Sequence, residues 1–98
     1  MVDEISTRLN VKTYIGLNGY LFEVPLSIDF FAISEDGATA EIKEFRFYYP
    51  TCIFSNIDPN LMEQKAKAIL DVKFHKAATE ALKQYMTEAE GLYIVSKN

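Results

Sequence analysis

The side chains best suited to covalent or proton-transfer chemistry are His75, the sole histidine, and Cys52, the sole cysteine. Asp71 stands four residues before His75, a spacing that puts both on one helix face and permits a carboxylate–imidazole dyad. A general base also needs a cleft and an oriented substrate, and Lys73 and Lys76 beside it mark a solvated face. Cys52 sits in Tyr49-Pro50-Thr51-Cys52-Ile53-Phe54. A nucleophilic thiolate needs a base or a positive field. His75 is the only base available and no spacing brings it near, so Cys52 is expected to be a small buried apolar residue. One cysteine gives neither an internal disulfide nor a thiolate zinc site. Asp58 and Glu63 lack the alternating ligands and the glycine of a calcium loop. There is no phosphate-binding glycine loop, dinucleotide fingerprint or paired-histidine metalloprotease motif. The expectation is a non-enzyme with no metal and no cofactor.

Composition narrows the classes further. The chain has 98 residues, of which 49% are hydrophobic and 24% charged, with only 4 Gly and 3 Pro. Such a chain has enough apolar surface to offset its entropy, and length for one domain, residues 1–98. A net charge of −4 is mild for a nucleic-acid mimic and has the wrong sign for a polyphosphate binder. The opening Met-Val-Asp-Glu-Ile-Ser-Thr-Arg is too polar for a secretion signal, and no apolar run reaches 18 residues. A cytoplasmic domain without a membrane partner is expected.

The elements that must position any surface are legible from the period of the hydrophobic pattern. Ile5, Thr7, Leu9, Val11, Thr13 and Ile15 alternate with polar residues, as do Phe22, Val24, Leu26, Ile28, Phe30 and Ala32, the signature of half-buried strands. Asn18-Gly19 and Asp36-Gly37 separate three such runs, and these pairs suit two-residue hairpin turns because both central positions need positive φ. Strands are predicted over residues 4–15, 20–33 and 39–49. Turns centred on those pairs align Leu9, Ile28 and Phe45, then Val11, Leu26 and Phe47, then Thr13, Val24 and Tyr49, an apolar face across all three strands. Pro25 interrupts the middle strand and predicts a bulge or an early end to one pairing.

The second half reads as helix, predicted over residues 59–89. Asp58 is placed as N-cap, Pro59 as the first helical residue, and Ile57 can staple onto Met62. Gly91 suits a C-terminal cap. The apolar stripe drifts from Met62, Ala66, Ile69, Leu70 and Ala77 toward Phe74, Ala78, Ala81, Leu82 and Tyr85, which predicts a helix wrapped on a twisted sheet or a kink near 74–78. Ile69, Leu70 and Phe74 are expected in the core. A last strand over 92–95 is free to pair beside the third strand, beside the first, or with another copy. The predicted fold class is α+β, a three-stranded antiparallel meander in β-β-β-α-β order, with one long helix on one face and a short C-terminal strand.

Function is then a matter of surfaces. The run Lys43-Glu44-Phe45-Arg46-Phe47-Tyr48-Tyr49 has the residue types of an RNA-stacking strand. It lacks that motif's glycines, and the register turns Phe45, Phe47 and Tyr49 inward. On the outer face the register sets Arg8, Asp29 and Glu44 in one row and Asn10, Ser27 and Arg46 in the next. Arg8, Lys12, Tyr14, Arg46 and Tyr48 compose a candidate single-stranded nucleic-acid platform, offset by Asp29, Glu23 and Glu44. Toward the second turn Phe31, Ile33, Ala40 and Ile42 form an apolar outer patch that a second copy could hide. The leading expectation is a protein-binding module, a homodimer with an unidentified protein partner, of the kind encoded as small regulators or inhibitors on mobile genetic elements. Nucleic-acid binding on the open face comes second, and a small-molecule site between helix and sheet last.

Overall fold

The computed structural model describes residues 2–17, 19–50 and 64–94, with the backbone alone for 64–67. The order is β1 (Asp3–Leu17), β2 (Tyr20–Ser34), β3 (Thr39–Tyr48), α1 (Gln64–Glu88) and β4 (Tyr93–Ile94), an α+β fold. Its sheet is four-stranded and mixed, in the order β1-β2-β3-β4, so the meander gains a short parallel strand. The expected Asp58 cap, Pro59, the Ile57–Met62 staple, Cys52, Asn18 and the side chain of Ala66 lie outside the described residues.

The first hairpin follows its pattern. β1 and β2 pair one-for-one from Asp3↔Ser34 to Leu17↔Tyr20, and Gly19 has φ +81°, the left-handed conformation that glycine adopts without strain. Pro25 sits opposite Lys12 within this ladder. On its other side the β2–β3 pairing ends at Ser27↔Tyr48, before Pro25 is reached. The missing N–H therefore interrupts no bond to β3, which resolves the conflict as an early end rather than a bulge.

The second turn corrects the predicted register. Ile33 pairs with Glu41 and Ala32 with Ile42, so the turn is one residue longer than a tight hairpin through Asp36-Gly37. A one-residue slip reverses which face a side chain takes. Ala40 and Ile42, expected on the outer face, therefore point to the helix side, where Ala40 is buried and Ile42 packs on the core. A bulge then falls between the Ala32↔Ile42 and Phe31↔Glu44 pairs, leaving Lys43 over. This second one-residue offset restores the parity, and Phe45 and Phe47 face inward as predicted. They lie two residues along β2 from their expected neighbours, Phe47 opposite Ile28 and Phe45 opposite Phe30.

Asp36 closes the wider turn. Its Oδ1 accepts the backbone N–H of Ala38 at 2.9 Å and of Thr39 at 2.7 Å, and its Oδ2 accepts the Thr39 hydroxyl at 2.8 Å. These bonds, from the Thr39 and Ala38 amides first, stabilise the ionised carboxylate and lower its pKa to about 2.

α1 runs unbroken through residues 74–78. Leu70, Phe74, Ala78, Leu82 and Met86, each four residues apart, are the buried ridge. They meet Val24, Leu26, Ile28 and Phe30 of β2, all buried. Ile69, expected in the core, is 52% exposed because it falls on the opposite side of the helix. Gly91, at φ +67°, ends α1, and just past it the Leu92 amide returns to the Met86 carbonyl at 2.8 Å, so the left-handed glycine lets the chain turn back on the last helical turn. Buried Leu92 then leads into β4, which pairs parallel with Thr39 and Ala40 of the same chain.

Candidate interaction surfaces

His75 and Asp71 share a helix face but form no dyad. The Asp71 carboxylate accepts the Tyr49 hydroxyl at 2.5 Å, and the Tyr49 ring stacks on Phe74 at 3.9 Å between centroids. Burial pushes the Tyr49 phenol pKa up, and its bond to the Asp71 carboxylate pushes it further. His75 is exposed and lies against the ring of Phe45 at 5.0 Å and the edge of Phe47 at 6.2 Å. The group beside the histidine is thus a structural tether between β3 and α1.

On the outer face the register offset rewrites the rows. Asp29 faces Arg46, not Glu44, so it stands between Arg46 and Arg8 on the strands either side. Arg8 donates to Asp29 through Nε at 2.6 Å and a terminal nitrogen at 2.8 Å. This fork raises the Arg8 pKa and lowers that of Asp29, foremost through the hydrogen bonds themselves. The Arg8 guanidinium also lies 5.7 Å from the centre of the Tyr48 ring. Lys12 pairs with Glu23 at 3.5 Å, and Ser27 donates to Asn10 at 2.8 Å. Arg8, Lys12, Arg46 and Tyr48 share one face, with Tyr14 exposed at its far end. Two of its cations already hold carboxylates.

The predicted apolar patch is smaller than expected. Phe31 and Ile33 do lie on the outer face, each half-buried and opposite Glu44 and Glu41 respectively. With Ala40 and Ile42 turned inward, two apolar residues remain where four were expected.

The opposite face holds a feature that the residue pattern did not reveal. α1 lies over β2, touching β1 on one side and β3 on the other. Buried positions fill the inner face of β2, whereas Ile5, Leu9, Val11 and Thr13 of β1 are only half-buried and Thr7 is exposed. Between β1 and α1 runs a groove of about 600 Å³. Leu9, Val11, Ala77 and Ala81 floor it, and Lys73, Lys76, Glu80 and Glu88 rim it. Alanines at 77 and 81 present too little side chain to fill the space. Those alanines were the available signal, but reading them as a groove requires knowing which strand the helix covers.

β1 is also an edge strand, so one side of its backbone is unpaired among the described residues. In a two-residue hairpin the pair flanking the turn exchanges both hydrogen bonds. Leu17↔Tyr20 is that pair. The odd-numbered residues of β1 therefore bond to β2, and Glu4, Ser6, Arg8, Asn10, Lys12 and Tyr14 aim their N–H and C=O groups off the sheet. Among the described residues no cluster of acidic, histidine and cysteine side chains suits a metal, and no helix is long and apolar enough to cross a membrane. Compared with family models, curated proteins and solved structures, the chain matches none.

Proposed function

We propose that this chain is a small, non-catalytic protein-interaction module whose binding surface is the open edge of β1 with the groove beside it. One observation carries the reading: a 15-residue strand presents a hydrogen-bonding edge that pairs with no other strand among the described residues, directly beside an apolar-floored groove. Added strands take their affinity from backbone bonds and their specificity from alternate side-chain contacts, and this surface supplies both. The arrangement of the acids supports no proton-transfer role, since Asp71 is engaged by Tyr49 and Asp29 by Arg8. Single-stranded nucleic-acid binding on the outer face is the weaker reading, because Arg8 and Lys12 would have to exchange Asp29 and Glu23 for phosphates.

The test is two-sided. Labelled single-stranded oligonucleotides should show no micromolar binding that falls steeply with salt. Protein recovered with the tagged chain from its native host, further copies of the chain included, should be lost when Val11→Glu charges the groove floor. Oligonucleotide binding that Val11→Glu leaves intact, with no protein recovered, would overturn the reading in favour of the outer face.

A further inference from the structure

The β1 edge lacks several of the devices that keep natural edges from pairing, although it carries outward charges at Glu4, Arg8 and Lys12. It has no proline, and it pairs with β2 without a register shift over all its 15 residues. No charge points to its helix side from Ile5 to Ile15. Short strands, prolines, bulges, inward charges and charged side chains along the edge are the usual protections, and of these β1 has only the last. The opposite edge of the sheet does carry such features, a bulge at Lys43 and the added strand β4.

Read from its middle, β1 is close to a palindrome. About Asn10, Leu9 mirrors Val11, Thr7 mirrors Thr13, and Ile5 mirrors Ile15. Two antiparallel copies paired on this centre would set apolar against apolar and threonine against threonine on the helix side. Directly opposed residues share a face, and such cross-strand pairs are what stabilises a sheet. On the outer side Arg8 would meet Lys12, but each already carries its own carboxylate, Asp29 and Glu23.

The helices agree with this arrangement. Lys73 donates to the Gly16 carbonyl at 2.9 Å, which fixes the basic part of the groove rim, Lys73 and Lys76, at the turn end of β1. Tyr85 meets Phe30, which pairs with Thr7, so Glu80 and Glu88 run toward the other end. A two-fold axis at Asn10 brings the basic half of one rim opposite the acidic half of its mate. With α1 lying over β2, the two helices would be three strand spacings apart, about 14 Å. Lysine and glutamate side chains can span that gap and roof both grooves.

We propose that the occupant of this edge is a second copy of the chain, joined antiparallel along β1 about Asn10 into one eight-stranded sheet with both helices on the same face. The proposal rests on the interaction reading above and names its partner. Some eleven residues of ladder per copy, with the helix edges, bury on the order of 1,000 Å², the lower end of the range for a specific interface. Association in the micromolar range follows.

Sedimentation equilibrium of the full chain tests it, with expected dissociation between about 1 and 100 μM. Asn10→Pro removes an outward N–H at the centre of the seam and should raise the dissociation constant at least tenfold while circular dichroism keeps its wild-type form. Because proline in a strand can itself unfold the hairpin, Asn10→Cys in a Cys52→Ser background gives a second readout. Mild oxidation should yield a disulfide-linked dimer, whereas Tyr48→Cys in the same background should stay monomeric. A wild-type chain that remains monomeric at several hundred micromolar overturns the second copy. So does a dimer that Asn10→Cys fails to link. The two readings fail separately: a monomer whose other protein partners are still lost with Val11→Glu keeps the edge as a site for a foreign chain, and a monomer indifferent to Val11→Glu loses both.

Discussion

β1 and β2 are equal in length, pair along their full extent and alternate apolar with polar residues in the same way. Their fates differ. The inner residues of β2 from Val24 to Ala32 are buried, while those of β1 are half-buried or exposed up to Thr13. Alternation tells a strand which face to bury; it does not say how deeply. Depth is set by where α1 lies: it touches β1 on one side and β3 on the other, and its ridge of Leu70, Phe74, Ala78, Leu82 and Met86 shares one buried core with the inner residues of β2 between them. The neighbouring ridge, Ala77 and Ala81, faces β1 with little to offer it. One strand became the core and its twin became a surface.

The largest effect that would break this picture is deletion of Lys43. Without the bulge, either Ala40 and Ile42 or Phe45 and Phe47 must leave the helix side. The expected loss is several kcal/mol, comparable with the whole stability of a small domain, and denaturant melts should show a chain with no cooperative transition. A variant that melts like the parent would show that the bulge is not what sets the facing of β3.

Next comes the contrast between the strands themselves. Ile28→Ala, at a site with 0% exposure, should cost about 2–5 kcal/mol by lost transfer energy and the cavity left behind. Leu9→Ala in dilute solution should cost roughly 1 kcal/mol, since its side chain is half in water already. Equal costs would mean that α1 covers β1 as closely as β2.

Much of this was legible in the residues. The hairpin at Gly19, the glycine cap at Gly91 and the trouble at Pro25 all follow from local rules, whereas Phe45 and Phe47 face inward as expected only because the bulge at Lys43 cancels the longer turn. Ala40 and Ile42 were misplaced because Asp36-Gly37 looks like a tight turn. Instead, the Asp36 carboxylate gathers the Ala38 and Thr39 amides and lengthens the turn by one residue, a choice between two local solutions that alternation alone does not decide. The groove was illegible for another reason, since helix placement is a sum over many weak contacts. The free edge of β1 depends likewise on the strand order.

Smaller effects sharpen the account of what holds α1 to β3. Tyr49→Phe removes the bond to Asp71 and should cost about 1 kcal/mol, reduced by its partial exposure. The sign of the pH dependence follows from the raised phenol pKa. Below pH 10 both folded and unfolded chains hold the proton and the contribution is intact; as pH rises past 10 the unfolded phenol ionises first, so stability falls. Spectrophotometric titration should find Tyr49 ionising late, beside Tyr85, whose bond to Glu90 also raises its phenol pKa, and Tyr49→Phe should abolish the Tyr49 step alone. Asp36 gives the smallest effect and the opposite sign. Its carboxyl, held at about 2, contributes stability above pH 4 that fades as pH falls toward 2; Asp36→Asn should flatten that part of the acid melt.

Residue-resolved amide exchange along β1 reads the state of this edge amide by amide. Amides of Thr7, Leu9, Val11 and Thr13 bond to β2 and should be protected at every concentration. Those of Ser6, Arg8, Asn10, Lys12 and Tyr14 point off the sheet, and should be exposed in dilute protein but become protected as concentration rises through the association range. Protection of the even-numbered amides that depends on concentration, centred on Asn10, is the predicted result. Even-numbered amides that exchange freely at all concentrations, or that are protected even at the lowest, would contradict an edge held open for a second copy.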